Sequence, residues 1–156
     1  MSQANLPDHA GLVEIIDGTA HIENLFNQII ENYCEPRSDR HSFFWLVLLD
    51  SSVVSLGGKV RVVSAIADEV KFKVGTDSLL RILSLRNAFA HHETNSHPLL
   101  VVGRTPDQSS AHYQLHILSS KGKVTRKKRE DALQEFRNEY QKAKSKLAEL
   151  VRIVKK

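Results

Sequence analysis

The stretch LLRILSLRNAFAHHE, residues 79–93, decides how this chain is read. Leu79, Ile82, Leu83, Leu85, Phe89 and Ala90 recur at near-helical spacing, and at about 100° per residue they share one broad face with Arg86 close to its centre. The spacing predicts a helix from Ser78 to about His92, with Gly75 as punctuation and Thr76 or Asp77 as its cap. A permanent cation in such a face is expected to be buried or half-buried. Uncompensated it would cost several kcal/mol, so it needs a carboxylate, a set of carbonyls, a polar cleft or a partner protein. Glu14, Asp17, Asp50 and Asp68 are the carboxylates that a purely structural ion pair would use.

Upstream, Asp8 can cap a long first helix whose apolar positions run Leu12, Ile15, Ile22, Phe26, Ile29 and Tyr33, with Thr19 in the missing beat and Pro36 as its stop. Ser38 or Asp39 can cap a second helix through HSFFWLVLLDSS, although so many aromatic and β-branched residues also suit a buried strand. Its length favours helix. Gly57 and Gly58 open SLGGKVRVVSAIADEV, where Val60, Val63 and Ala67 predict a shorter third helix.

Downstream the texture changes. HPLLVVGR and AHYQLHILSS carry alternating and β-branched residues around the turn-forming TPDQSS, so residues 99–104 and 112–119 read as a β-hairpin within residues 98–120. A two-stranded ribbon is marginal alone and must lean on helices. SKGK is a second turn, and from about Arg126 a last helix repeats Leu133, Phe136, Tyr140, Ala143, Leu147, Leu150 and Val154 at three-four spacing. The expected fold is a mainly α single domain, a helical bundle with an inserted β-hairpin before a long C-terminal helix.

At 156 residues the chain is long enough to bury roughly two-thirds of the surface its unfolded form exposes. One cysteine, Cys34, forms no internal disulfide, and no charged-then-apolar leader is visible near Met1, so a reducing, cytoplasmic setting is expected. The longest apolar run, residues 43–49, is seven residues against the ~20 that span a bilayer, so no membrane partner is expected. A net charge of +4 and a pI near 9.3 suit an anionic partner or an ordinary basic surface.

His91 follows Arg86 by five residues, with Asn87 between, and R-N-A-F-A-H resembles the signature of the HEPN superfamily. The order LLDSSVVSLGGKVRVVSAIADEV, then LLRILSLRNAFAHH, is similar to the central helices of the mannitol-repressor-like branch, over residues 43–93. Ser55 stands where that branch often has proline, and the hairpin after the motif is a further departure. The resemblance implies a helical fold, a homodimer with both motifs at its axis, and metal-independent RNA cleavage in which a 2′-hydroxyl attacks the adjacent phosphate. It also implies Arg86 and His91 as catalytic residues, no cofactor, and a toxin or phage-defence role with an antitoxin or regulatory partner.

The residue types suit that chemistry. Histidine titrates near neutrality and can take or give a proton, while arginine offers two-pronged donors to a phosphate whose charge grows in the transition state. Arg86 and His91 lie about 140° apart on an ideal helix, so either the helix ends near Ala90 and turns His91 inward, or two copies share a cleft. Asn87, one turn before His91, is the supporting residue expected to fix that ring.

His92 is adjacent but points elsewhere; His97 precedes a proline, and His112 and His116 sit four apart on a predicted strand without a cysteine, so no metal site is expected. Arg126, Lys127, Lys128 and Arg129 at the start of the last helix read as a phosphate-contacting RNA patch or as a plain solvated face. No interleaved aromatics, helix-turn-helix or zinc finger accompany them. Two competing readings remain: a catalytically inactive HEPN-like regulator, and a nucleotide- or ligand-binding module using the same cleft.

Overall fold

The structure, a computed structural model, describes residues 9–91, 97–101 and 110–155. Asp8 lies outside the described residues. α1 (His9–Cys34) is the long first helix that the apolar spacing predicts, with Ile15, Ile22, Phe26 and Ile29 fully buried. Thr19 is buried with them, and its hydroxyl is satisfied by donating to the Ile15 carbonyl one turn back at 2.7 Å. The helix stops where Glu35 turns to φ +46° ahead of Pro36, which cannot continue it.

The aromatic-rich segment is helical but irregular. Ser38–Arg40 is a 3₁₀ turn, α2 (His41–Phe43) a single α turn, and Phe44–Leu48 a π turn. Of residues 43–49 only Leu49 is buried, and Phe43, Leu46, Val47 and Leu48 are exposed. α3 (Leu56–Glu69) starts at Ser55, whose Oγ accepts the Gly58 N–H at 3.1 Å, and it buries Val60, Val63, Ile66 and Ala67. α4 (Thr76–Ala90) starts two residues earlier than expected. Gly75 precedes it at φ +80°, a conformation glycine adopts without penalty, and the Thr76 hydroxyl meets that of Ser64 on α3 at 2.9 Å.

β1 (His97–Val101) and β2 (Ser110–Leu118) form the expected antiparallel hairpin, in register from His97–Gln114 to Val101–Ser110. Its turn, TPDQSS, falls mostly outside the described residues. A third strand, β3 (Val124–Lys128), pairs antiparallel with β2, giving the order β1-β2-β3. This corrects the expected start of the last helix. The turn at residues 119–123, with Gly122 at φ +77° and the Ser119 N–H donating to the Lys123 carbonyl at 2.8 Å, swings Val124–Lys128 onto the free edge of β2. Five residues thereby gain ladder partners before the helix begins.

α5 (Arg129–Val154) then runs the full length of the bundle and buries Ala132, Phe136, Ala143, Leu147 and Leu150. It packs along α1 and α4. A Cβ at Gly18 of α1 would stand 3.0 Å from the Phe136 ring, so glycine there lets the two long helices approach. Leu115 and Ile117 of β2, both fully buried, join this core from the sheet. The chain is thus mainly helical, with the β-element inserted before a long C-terminal helix. No helix among the described residues is long and apolar enough to cross a membrane.

Candidate functional site

The residues that α4 buries are Leu79, Ile82, Ser84, Leu85, Ala88 and Phe89. Leu83 is only half-buried and Ala90 is exposed, so the buried arc is rotated from the one the apolar residues mark out. Arg86 sits roughly 90° from the centre of the buried arc and is exposed, which corrects its expected burial. The physical reason is the neighbours: α1, α3, α5 and β2 all pack on α4, and they cover Ser84 and Ala88 instead of Ala90.

Among the described residues no carboxylate holds Arg86. Glu14 is taken by Arg137 of α5 in a two-pronged pair at 2.7 Å for both bonds, which holds its carboxyl below the ordinary range. Asp50 accepts from the hydroxyl and N–H of Ser52, which likewise lower its carboxyl. Asp17 lines a separate groove beside Arg137 and Tyr140. Arg86 instead donates from Nη1 to the Asn87 side-chain oxygen at 3.1 Å. Asn87, expected to orient His91, therefore spends its amide oxygen on Arg86, while its backbone carbonyl accepts the His91 N–H at 3.1 Å.

Two grooves flank the C-terminal half of α4. The first, of about 490 Å³, is lined by Arg86, Asn87 and Leu83 together with Thr19 and Glu23 of α1 and Ser55 and Gly57 at the start of α3. The first turn of α3 carries the partial positive charge of a helix N-terminus, so it and Arg86 both favour an anion here. The second, of about 450 Å³, lies between α4 and β2 and is lined by Asn87, His91, Ser84 and Leu80 from the helix and His116 and Leu118 from the strand. Within one chain the helix does end at Ala90, with His91 as its exposed cap, but this does not carry His91 into the groove of Arg86. Asn87 and Leu83 line both grooves, and of the two only Asn87 brings polar atoms.

The basic run is divided rather than gathered. Arg126, Lys127 and Lys128 lie on β3, and strand alternation exposes Arg126 and Lys128 while turning Lys127 inward to Glu135 at 2.8 Å. Glu135 also binds Arg81 of α4 through two bonds, at 2.7 and 2.9 Å, and these partners, Arg81 first, hold its carboxyl below the usual range. Arg129 opens α5 with its guanidinium 5.2 Å above the Phe89 ring. Exposed cations on an edge strand also blunt edge-to-edge pairing. His92 and the side chains of His97 and His112 lie outside the described residues. Among the described residues no group of three or more His, Cys, Asp or Glu is placed to hold a metal ion.

The buried cation among the described residues is Lys59, at 0% exposure. Its ammonium donates to Glu23 at 2.5 Å and to the Leu49 carbonyl. Sequence reading missed it, although Lys59, Val63 and Ile66 are spaced i, i+4, i+7 on one helix face. The pair matters to the site because Glu23 lines the Arg86 groove, and Lys59 compensates a carboxylate that would otherwise repel an anion there. Comparison of the chain with known protein families, curated proteins and solved structures gives no match.

Proposed function

We propose that this protein is a metal-independent RNA endonuclease, of the toxin or phage-defence type, that acts as a homodimer with a composite Arg86/His91 site. The observation that carries this reading is that Arg86, set among apolar neighbours on α4, is exposed, has no carboxylate among the described residues and borders a groove with the start of α3. A structural arginine would be matched by an acid. This one presents its donors to solvent, where a phosphate oxygen can accept them.

His91 supplies proton transfer. In the reaction the RNA 2′-hydroxyl oxygen bonds to phosphorus while the bond to O5′ breaks, leaving a 2′,3′-cyclic phosphate and a 5′-hydroxyl; Arg86 stabilises the charge that grows on the phosphoryl oxygens. Since Arg86 and His91 of one chain line different grooves, a second copy meeting at the end of α4 supplies the missing half of each site. The apolar surface of Phe43, Leu46, Val47, Leu48 and Val53 supports such a partner, because five large exposed apolar side chains in one short segment exceed the scattered ones of an ordinary surface. Arg126 and Lys128 on the exposed face of β3 would hold the RNA backbone without reading its sequence.

The test is cleavage of total RNA by the purified protein with chelator present, beside Arg86→Ala and His91→Ala variants verified as folded. Cyclic-phosphate ends from the parent and silence from both variants are expected. An inactive parent whose Arg86→Ala variant becomes monomeric would instead favour a regulator built on the same dimer.

A further inference from the structure

The α4–β2 groove holds a second imidazole. His116, half-buried on β2, lines the same cavity as His91, and these are its two titratable side chains among the described residues. Leu80, Leu83, Ala88 and Leu118 give that cavity apolar walls, while Asn87 and Ser119 add polar atoms. An apolar cleft with a few convergent polar groups is the usual character of a small-molecule or nucleotide subsite.

The strand register adds a cation. His116 pairs with Arg126 of β3, and directly paired residues project from the same face with Cβ atoms about 4.5–5.5 Å apart. Arg126 is exposed next to His116 on that face of the sheet, without itself lining the groove. Leu115 and Ile117, on either side of His116, point the other way into the core shared with α5. Among the described residues, the charged and titratable groups on this side include His91 from α4 and, from β3, Arg126 directly opposite His116 and Lys128 on the diagonal.

Building on the ribonuclease reading above, we infer that His116 is the second catalytic proton-transfer residue, and that the scissile phosphodiester sits in the α4–β2 groove between the two imidazoles. The chemistry needs a pair. As the 2′-oxygen bonds to phosphorus its proton must go to a base, and as the bond to O5′ breaks that oxygen must receive one from an acid. One neutral imidazole accepts the first proton and one imidazolium gives the second. The two rings end with their protonation exchanged, no proton is gained or lost, and solvent restores the starting pair. Arg126 contacts a non-bridging oxygen of the same or the next phosphate.

The experiment is the rate of cyclic-phosphate formation on a short RNA between pH 5 and 9 for the full-length parent, His116→Gln and His91→Gln, each checked by circular dichroism. The parent should give a bell-shaped profile. His116→Gln should lose about 10²-fold or more in kcat with little change in KM, and one limb of its bell should vanish. His116→Ala, assayed with added imidazole, should recover part of the lost rate, which a merely structural role would not produce. Retention of both limbs in His116→Gln, at whatever rate, together with no rescue of His116→Ala, would overturn the inference while leaving the ribonuclease reading intact. An inactive parent would overturn both.

Discussion

Replacing Glu23 by leucine should harm this fold more than replacing the buried Lys59 by methionine. Lys59 is fully buried and its ammonium has two acceptors, Glu23 and the Leu49 carbonyl. Glu23→Leu leaves that charge with one neutral acceptor. Breaking a buried pair from one side costs about 3–5 kcal/mol, and because the Glu23 side chain is 24% exposed beside a groove that admits water, the lower end, about 3, is expected. For a domain of this size that lowers Tm by roughly 6–12 °C. Lys59→Met keeps most of the buried stem volume and frees a carboxylate that can hydrate through the groove. Its cost is mainly the Leu49 carbonyl left without its donor, about 1–2 kcal/mol. The double variant should cost no more than about 2 kcal/mol, so the cycle should show a coupling of about 2–3 kcal/mol. Urea and thermal melts at one fixed protein concentration measure all four proteins, fixed because the proposed dimer would make the apparent stability depend on concentration. Additive single effects, or a Glu23→Leu variant within about 0.5 kcal/mol of the parent, would refute the reasoning.

Arg86→Ala should change stability by no more than about 0.5 kcal/mol, since the residue is exposed and pairs with no acid among the described residues, while RNA cleavage falls by about 10²–10³-fold; chemical denaturation and a gel assay separate the two. Leu46→Arg, at the most exposed of the described large apolar residues (76%), should move the protein toward monomer in sedimentation velocity and reduce cleavage with it. Glu135→Gln should cost about 1–2 kcal/mol at pH 7, because it unties α4 and β3 from α5 at once. The Glu135 carboxyl is lowered in the folded state, so its contribution is complete above the usual glutamate range and is lost as pH falls through the lowered value. The stability gap between parent and variant should therefore narrow below about pH 4.

Much of the fold was legible because it rests on local periodicity. The stripe from Ile15 to Ile29, the seam from Phe136 to Leu150 and the Val60, Val63, Ala67 spacing are each one-dimensional records of a single buried face. The hairpin was legible from alternation. The third strand was not, since KVTRKKRE carries no apolar alternation and becomes β only where the turn at Gly122 lays it on β2. That same event scattered the basic run over both faces of a strand instead of one helical turn. The exposure of the aromatic segment was not legible for a related reason: apolar composition raises the gain on being covered, but it does not say that anything in the same chain will cover it.

The site divides along the same line. Sequence alone determined that one helix would carry Arg86, Asn87 and His91 near its end, because helix propensity and spacing are properties of consecutive residues. Only the tertiary structure decided that Arg86 would face solvent and that Lys59 would be the interior cation. It also decided that His116 would share a groove with His91. Each of those outcomes depends on residues far apart in the chain: Glu23 lies 36 residues before Lys59, and β2 meets α4 only after the chain has reversed. A helical wheel registers which side chains are apolar; which arc of it becomes interior is set by the neighbours that pack there, and that is information no single segment contains.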